Sequence, residues 1–192
     1  MNTQTWWYVA RSGGIVAYAF LALSMFWGVA LSSRFLGRRP KPNWMLDLHR
    51  FVGGLSVVFT AIHVTALVAD SYVSFGLVEI LVPFTGDHHP VAVAWGIIGM
   101  YLLLAVEVTS LFRSRMSKRV WRLTHFLSFP LFALATVHLL WVGTDRTALP
   151  MRTFTLASVL VVCTATIIRI VQADEKERAG LAGTRPARSH LE

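Results

Sequence analysis

Four histidines stand in stretches that are otherwise almost wholly apolar. His49 and His63 lie within LHRFVGGLSVVFTAIHVTAL, residues 48–67, and His125 and His138 within WRLTHFLSFPLFALATVH, residues 121–138. An imidazole is costly to bury in hydrocarbon, so each is a candidate functional group, with interhelical hydrogen bonding as the plainer alternative. The spacings of fourteen and thirteen residues correspond to rises of about 21 Å and about 19.5 Å along a helix. Two such segments running in the same direction form two pairs, His49 with His125 at one depth and His63 with His138 at the other. A single metal ion cannot use all four across about 20 Å. A porphyrin between two helices takes one imidazole from each side as an axial ligand, so the pattern fits two haems stacked across a bilayer. Fourteen residues return to within about 40° of the same helix face, whereas thirteen land about 140° away. Pro130, between His125 and His138, removes a backbone hydrogen bond and gives the second segment a means of re-aiming its ligand.

The segments that must position these residues read as membrane helices. A span needs about 20 mostly apolar residues, and five segments qualify: 13–32, 48–69, 91–112, 123–143 and 152–171. The chain is 55% hydrophobic and its apolar residues come in blocks, so the expected fold is an all-α integral membrane protein, a five-helix transmembrane bundle. The stretch DSYVSFGLVEILVPFTGDHHP between the second and third spans has a short apolar run, carries Glu79 and meets Pro83. It is predicted to hold a short interfacial helix. The single cysteine, Cys163, lies in an apolar block and excludes a disulfide framework.

The formal charge of +8 does not point to nucleic acid, because the basic residues cluster between apolar blocks. Arg34, Arg38, Arg39 and Lys41 fill the first loop and Arg113, Arg115, Lys118, Arg119 and Arg122 the third, while the second holds Asp70, Glu79 and Asp87. Basic loops stay cytoplasmic. The N-terminus is therefore expected outside and the C-terminus, with Arg169, Lys176 and Arg178, inside the cell membrane. The arginines after the first span read as a stop to transfer, which favours a retained helix over a cleaved signal peptide. Residues 1–172 are expected to form the transmembrane domain and 173–192 a polar, mobile cytoplasmic tail whose final Leu191-Glu192 resembles the remnant of an expression tag.

Around the ligand pairs, Arg50, Arg122 and Lys118 neighbour the inner histidines and are candidates to pair with haem propionates, with a plain positive-inside role as the alternative. Arg11, Arg146 and Arg152 are the cations near the outer pair, Arg11 foremost. Phe59, Phe129 and Phe132 lie between the two levels and read first as packing. Trp6, Trp7, Trp44, Trp121 and Trp141, near helix ends, fit an interfacial belt. Glu107 is the one acidic residue within a span. It is expected to pair with an arginine, with a proton relay or a quinone contact as alternatives. His88 and His89, beside Asp87, read as polar loop residues before they read as a metal site.

The pattern LHRFVGGL…AIH followed by WRLTHFLSFPLFALATVH resembles the ferric-reductase-type transmembrane domain, shared by eukaryotic ferric reductases, NADPH oxidases and the haem subunit of the periplasmic methionine sulfoxide reductase system. The resemblance covers nearly all of residues 6–172, and ARSGGIVAYAF and DSYVSFGLVEILVPF are similar to small stand-alone actinobacterial members. It implies two b-type haems, an inner one on His49 and His125 and an outer one on His63 and His138, moving electrons from a cytoplasmic-side donor to an extracytoplasmic acceptor. The chain departs from the larger members in having no glycine-rich phosphate-binding loop after the fifth span. Electrons are expected from a separate flavin-containing partner, a membrane quinol or a bound flavin. Two alternatives stand beside this oxidoreductase component: a quinol-linked cytochrome b subunit of an extracytoplasmic reductase, and a haem-free, histidine-lined proton channel or transporter.

Overall fold

A computed structural model describes residues 3–33, 42–70 and 75–183. Among these residues every regular element is helical. α1 (Thr3–Ser33), α2 (Pro42–Ala69), α3 (Leu77–Leu81), α4 (Pro90–Leu111), α5 (Lys118–Phe126), α6 (Ser128–Val142) and α7 (Leu149–Gly183) follow in order, with a 3-10 turn at Arg113–Arg115. Five spans are long and apolar enough to cross a membrane: Gln4–Ser33, Asn43–Ala69, Pro90–Leu111, Lys118–Val142 and Leu149–Glu175. The protein is thus a multi-pass membrane protein built as a five-helix bundle, as its sequence implies. The helices begin earlier than the apolar blocks because interfacial residues such as Trp6, Trp7, Trp44 and Trp121 continue the helical hydrogen bonding. The first basic loop, Arg34 to Lys41, and the terminal Leu191-Glu192 lie outside the described residues.

Local chemistry sets the boundaries. Pro42, Pro90 and Pro150 all sit in a first helical turn, where the missing N–H has no intrahelical partner to lose. The Ser117 hydroxyl caps α5, accepting from the Val120 N–H at 3.2 Å. The fourth span is interrupted at Leu127, between α5 and α6. Pro130 cannot donate to the carbonyl of Phe126 four residues earlier, so the ladder loses a bond where the break occurs. α7 continues into the polar segment after residue 172 as far as Gly183, with Arg178 paired to Asp174 at 2.9 Å.

The core forms around the middle of α1. Tyr18, Leu21, Ala22 and Met25 pack with Leu103 of α4, Leu131 and Phe132 of α6 and Val162 of α7. The Tyr18 ring stacks on Phe132 with centroids 5.7 Å apart, and its hydroxyl bonds the Thr136 hydroxyl at 3.0 Å. Phe132 is therefore core packing. Phe59 packs against Phe20 and Phe129 against Phe126. Outward faces remain apolar, as on α7 at Leu156, Leu160, Ile167 and Ile170, which suits a lipid surround. α3 is five residues long, ends before Pro83 and leaves Leu77, Val78 and Leu81 exposed. A short helix with an uncovered apolar face fits an interfacial position.

Candidate functional site

α2 and the α5–α6 span run in the same direction and meet through their four histidines, which form two pairs. The ring centroids of His49 and His125 are 6.0 Å apart, with planes at 78°. Those of His63 and His138 are 6.5 Å apart, with planes at 80°. The break at Leu127 separates His125 from His138, so the segment with thirteen-residue spacing presents both rings to α2 without one unbroken helix face.

The flanking helices orient the rings. His63 Nδ1 donates to the Ala10 carbonyl at 2.6 Å, His49 Nδ1 to the Ser24 carbonyl at 3.0 Å, and His138 Nδ1 to the Ala92 carbonyl at 2.8 Å. In each case the residue four positions after the acceptor is glycine: Gly14, Gly28 and Gly96. The helical side chain at that position would cover the turn that holds the acceptor. A Cβ on Gly96 would lie 2.6 Å from His138 Cε1, and one on Gly14 would lie 2.9 Å from His63 Nδ1. Only glycine admits the rings there. His125 differs: its Nδ1 reaches the Ser110 hydroxyl at 3.5 Å, and it stacks on Trp121 with centroids 5.0 Å apart and planes at 20°. Arg113 in turn lies over the Trp121 ring at 4.4 Å.

With Nδ1 as the donor to a carbonyl, Nε2 of the neutral ring keeps its lone pair. Among the described residues no hydrogen bond engages Nε2 of His49, His63, His125 or His138. His63 and His138 also line one cavity, together with Arg11, Tyr18, Ser56 and Met100.

A family described as ferric reductase like transmembrane component matches residues 13–136. The chain belongs to that family. Membership points to transmembrane electron transfer as the activity. The matched region takes in His49, His63 and His125 and stops two residues short of His138. No curated protein and no solved structure matches the chain.

The remaining candidates of this family member are placed unevenly. Arg11 lines the cavity at His63 and His138, but its guanidinium is held by Asp145 and lies over Trp7 at 5.0 Å. Arg146 lines the same cavity while donating to the Trp141 carbonyl at 2.7 Å. Arg152 is exposed. Arg50 is exposed and pairs loosely with Asp47 at 3.8 Å. Arg122 and Lys118 are exposed on α5.

Glu107 departs from expectation, since among the described residues it makes no ion pair with any arginine. It packs instead against Gly53 of α2, where a Cβ would come within 2.6 Å of its Oε1. His88 lines the same cavity as His63 and His138 and touches Phe75 and His89 edge-on, while His89 takes the left-handed position before Pro90. No third metal-ligating side chain joins them among the described residues.

Sequence reasoning missed Ser24, Ser110, Trp121, Arg113 and the three glycines. One signal was present, because Gly14 and Gly28 repeat on α1 the fourteen-residue spacing of His49 and His63.

Proposed function

We propose that the chain is a dihaem b-type transmembrane cytochrome that carries electrons from a cytoplasmic-side donor to an extracytoplasmic acceptor. The observation that carries this reading is the pair of facing imidazole couples, with ring centres 6.0 and 6.5 Å apart. Two imidazoles that shared one metal, at about 2 Å from each ligating nitrogen, would have ring centres about 6 Å apart. At His49, His63 and His138 carbonyl acceptors at Nδ1 fix the tautomer that leaves Nε2 as the ligand atom, which is how ligating histidines are commonly held. At the His63–His138 level two neutral rings with such lone pairs cannot hydrogen-bond to each other, which weighs against a simple interhelical contact and against a haem-free channel.

Among the described residues no group of three or more His, Cys, Asp or Glu side chains is placed to hold a bare ion. A metal that brings four equatorial nitrogens of its own needs only two protein ligands, and haem meets that description. His49 and His125 would hold the inner group, and His63 and His138 the outer one. When bound, each haem supplies one-electron exchange between ferric and ferrous iron, and two histidine ligands leave no open iron position for substrate.

The protein's own residues do the rest. Ala10, Ser24 and Ala92 orient the imidazoles through their carbonyls, glycines bring the helices close, and the apolar core around Tyr18 and Phe132 keeps water out. Arg11, Arg50 and Arg122 stand as cation partners for propionates; Arg11 would have to share its charge with Asp145.

By the positive-inside rule the N-terminus is outside and the C-terminus cytoplasmic in the cell membrane. Residues 1–172 form the dihaem unit and 173–192 a cytoplasmic extension. Partners are a separate flavin-containing or quinol donor and an extracytoplasmic acceptor, with a flavin or quinone as the cofactor of electron entry. The quinol-linked version draws support from Glu107, a half-buried carboxyl without a cation partner among the described residues, which is suited to a proton-releasing donor.

The test is a reduced-minus-oxidised visible spectrum with pyridine haemochrome quantitation on wild type, His63→Ala and His125→Ala. About two b haems per chain, with each substitution costing about one, is the expected result. Colourless wild-type protein from haem-supplied cells refutes the reading. Reduction of the purified protein by quinol separates the quinol-linked version from one fed by a flavoprotein.

A further inference from the structure

His125 is held by different means from the other three imidazoles. It has no backbone carbonyl acceptor, and the position four residues after Val106 is Ser110 where the equivalent positions on α1 and α4 are glycine. Its place is set by Trp121, one helical turn earlier on α5, whose indole stacks on the imidazole at 5.0 Å and 20°. The stack stands just before the break at Leu127, where α5 loses the support of a continuing helix.

Trp121 has a second peculiarity. Its Nε1 is buried without a hydrogen-bond partner, the one side-chain nitrogen or oxygen in that condition among the described residues. An interfacial tryptophan of the usual kind gives its N–H to water or a headgroup. A buried one needs an acceptor, and leaving it without one is costly. Arg113 closes the outer side of the stack at 4.4 Å, is exposed, and has no carboxylate partner among the described residues.

We propose that Trp121 is a positioning residue for His125 and that its indole N–H donates to a carboxylate on the edge of the porphyrin bound at the His49–His125 level, with Arg113 adding positive charge behind the ring. The proposal rests on the dihaem reading and deepens it. Hydrogen bonding and cationic charge at an anionic edge both favour the reduced, more electron-rich iron, so the device raises the midpoint potential of the inner haem. The weaker partner at His125 Nδ1 acts in the same direction, because an imidazole that donates less strongly is a less basic ligand.

The experiment uses the full chain purified from haem-supplied cells. Wild type, Trp121→Phe, Trp121→Leu and Arg113→Gln are compared by haem content, potentiometric titration and low-temperature EPR, and the inner component is the one that His125→Ala removes. Trp121→Phe keeps an aromatic ring but no N–H. It is expected to retain both haems, to lower the inner midpoint and to leave the outer midpoint in place. Arg113→Gln lowers the same midpoint, and Trp121→Leu also moves the inner EPR signal by freeing the His125 plane.

Two haems with both midpoints unchanged in Trp121→Phe overturn the proposal and leave the dihaem reading standing. Haem loss without a selective shift means that Trp121 serves packing alone, which also overturns it. Wild type without haem overturns both. Should Trp121→Leu fail to fold, Trp121→Phe and Arg113→Gln decide the question.

Discussion

Replacing Gly96 by alanine is the sharpest test of how α4 receives His138. The new Cβ would sit 2.6 Å from His138 Cε1 and 2.7 Å from Nδ1. Carbon atoms pack at about 3.5 Å or more, so the imidazole must retreat by about 1 Å. That movement stretches the 2.8 Å bond from Nδ1 to the Ala92 carbonyl beyond hydrogen-bonding range. Overpacking costs about 1–3 kcal/mol, and the lost bond about 1 kcal/mol. Alanine returns about 1 kcal/mol of helix propensity, which leaves a net destabilisation of about 2 kcal/mol. Gly54→Ala is the matched control, since a Cβ there meets nothing within 4 Å and the variant gains about 1 kcal/mol. Denaturant unfolding in detergent measures the difference, and pyridine haemochrome quantitation measures the site. Gly96→Ala is expected to lose the outer haem, falling from about two haems per chain to about one, while Gly54→Ala keeps both. Equal stability and equal haem content in the two variants would refute the close-approach reasoning.

The same logic grades the other glycines. Gly14→Ala, with His63 Nδ1 at 2.9 Å, should perturb haem binding more than Gly28→Ala, whose nearest ring atom is at 3.1 Å; both should be milder than Gly96→Ala in the same assay. Tyr18→Phe removes the 3.0 Å bond to Thr136 from the core and should cost about 1 kcal/mol in unfolding, with haem content unchanged. Glu107→Leu removes a half-buried carboxyl without a cation partner among the described residues and should raise the unfolding midpoint; a drop would mean that the carboxyl has a stabilising partner in the folded protein. Ser110→Gly uncovers the Val106 carbonyl for His125 Nδ1 and should lower the inner midpoint relative to the outer one in a potentiometric titration.

The spans, their number and the two histidine pairs were legible because they rest on properties carried by single segments: apolar length, basic loops, and spacing converted to depth by the helical rise. Helix starts were set too late wherever a Trp or Pro residue extends the first turns, as at Trp6 and Pro42, since hydropathy registers the lipid boundary and not the hydrogen-bond ladder. What could not be read was anything that depends on a partner helix. Trp121 fitted an interfacial belt by its position near a helix end, but its neighbours turn it inward, between Arg113 and His125. Glu107 was expected to find an arginine by analogy with other membrane carboxylates, yet the helix it meets offers Gly53. Pro130 pointed to a distortion, and the position of the break, one turn upstream at Leu127, follows from the carbonyl that a proline leaves unpaired.

The glycine positions explain how a membrane bundle fixes an imidazole without spending polar side chains in lipid. A helical carbonyl that already accepts from the N–H four residues later keeps a second lone pair directed outward, and the side chain at that later position covers it. Glycine uncovers it. Ala10 with Gly14, Ser24 with Gly28 and Ala92 with Gly96 repeat the arrangement, the first two fourteen residues apart on α1 to match the spacing on α2. Counting fourteen onward from Ala92 and Gly96 on α4 reaches Val106 and Ser110, so the fourth site occupies the expected place with its glycine replaced. The Val106 carbonyl there takes the Thr109 hydroxyl at 3.2 Å, and His125 turns to Ser110 and Trp121 instead. The departure at one ligand of four leaves the two levels with unequal support for their imidazoles. On the dihaem proposal, a difference in potential between the levels would set which one an electron favours, and the contacts of Ser110, Trp121 and Arg113 are where that proposal puts its origin.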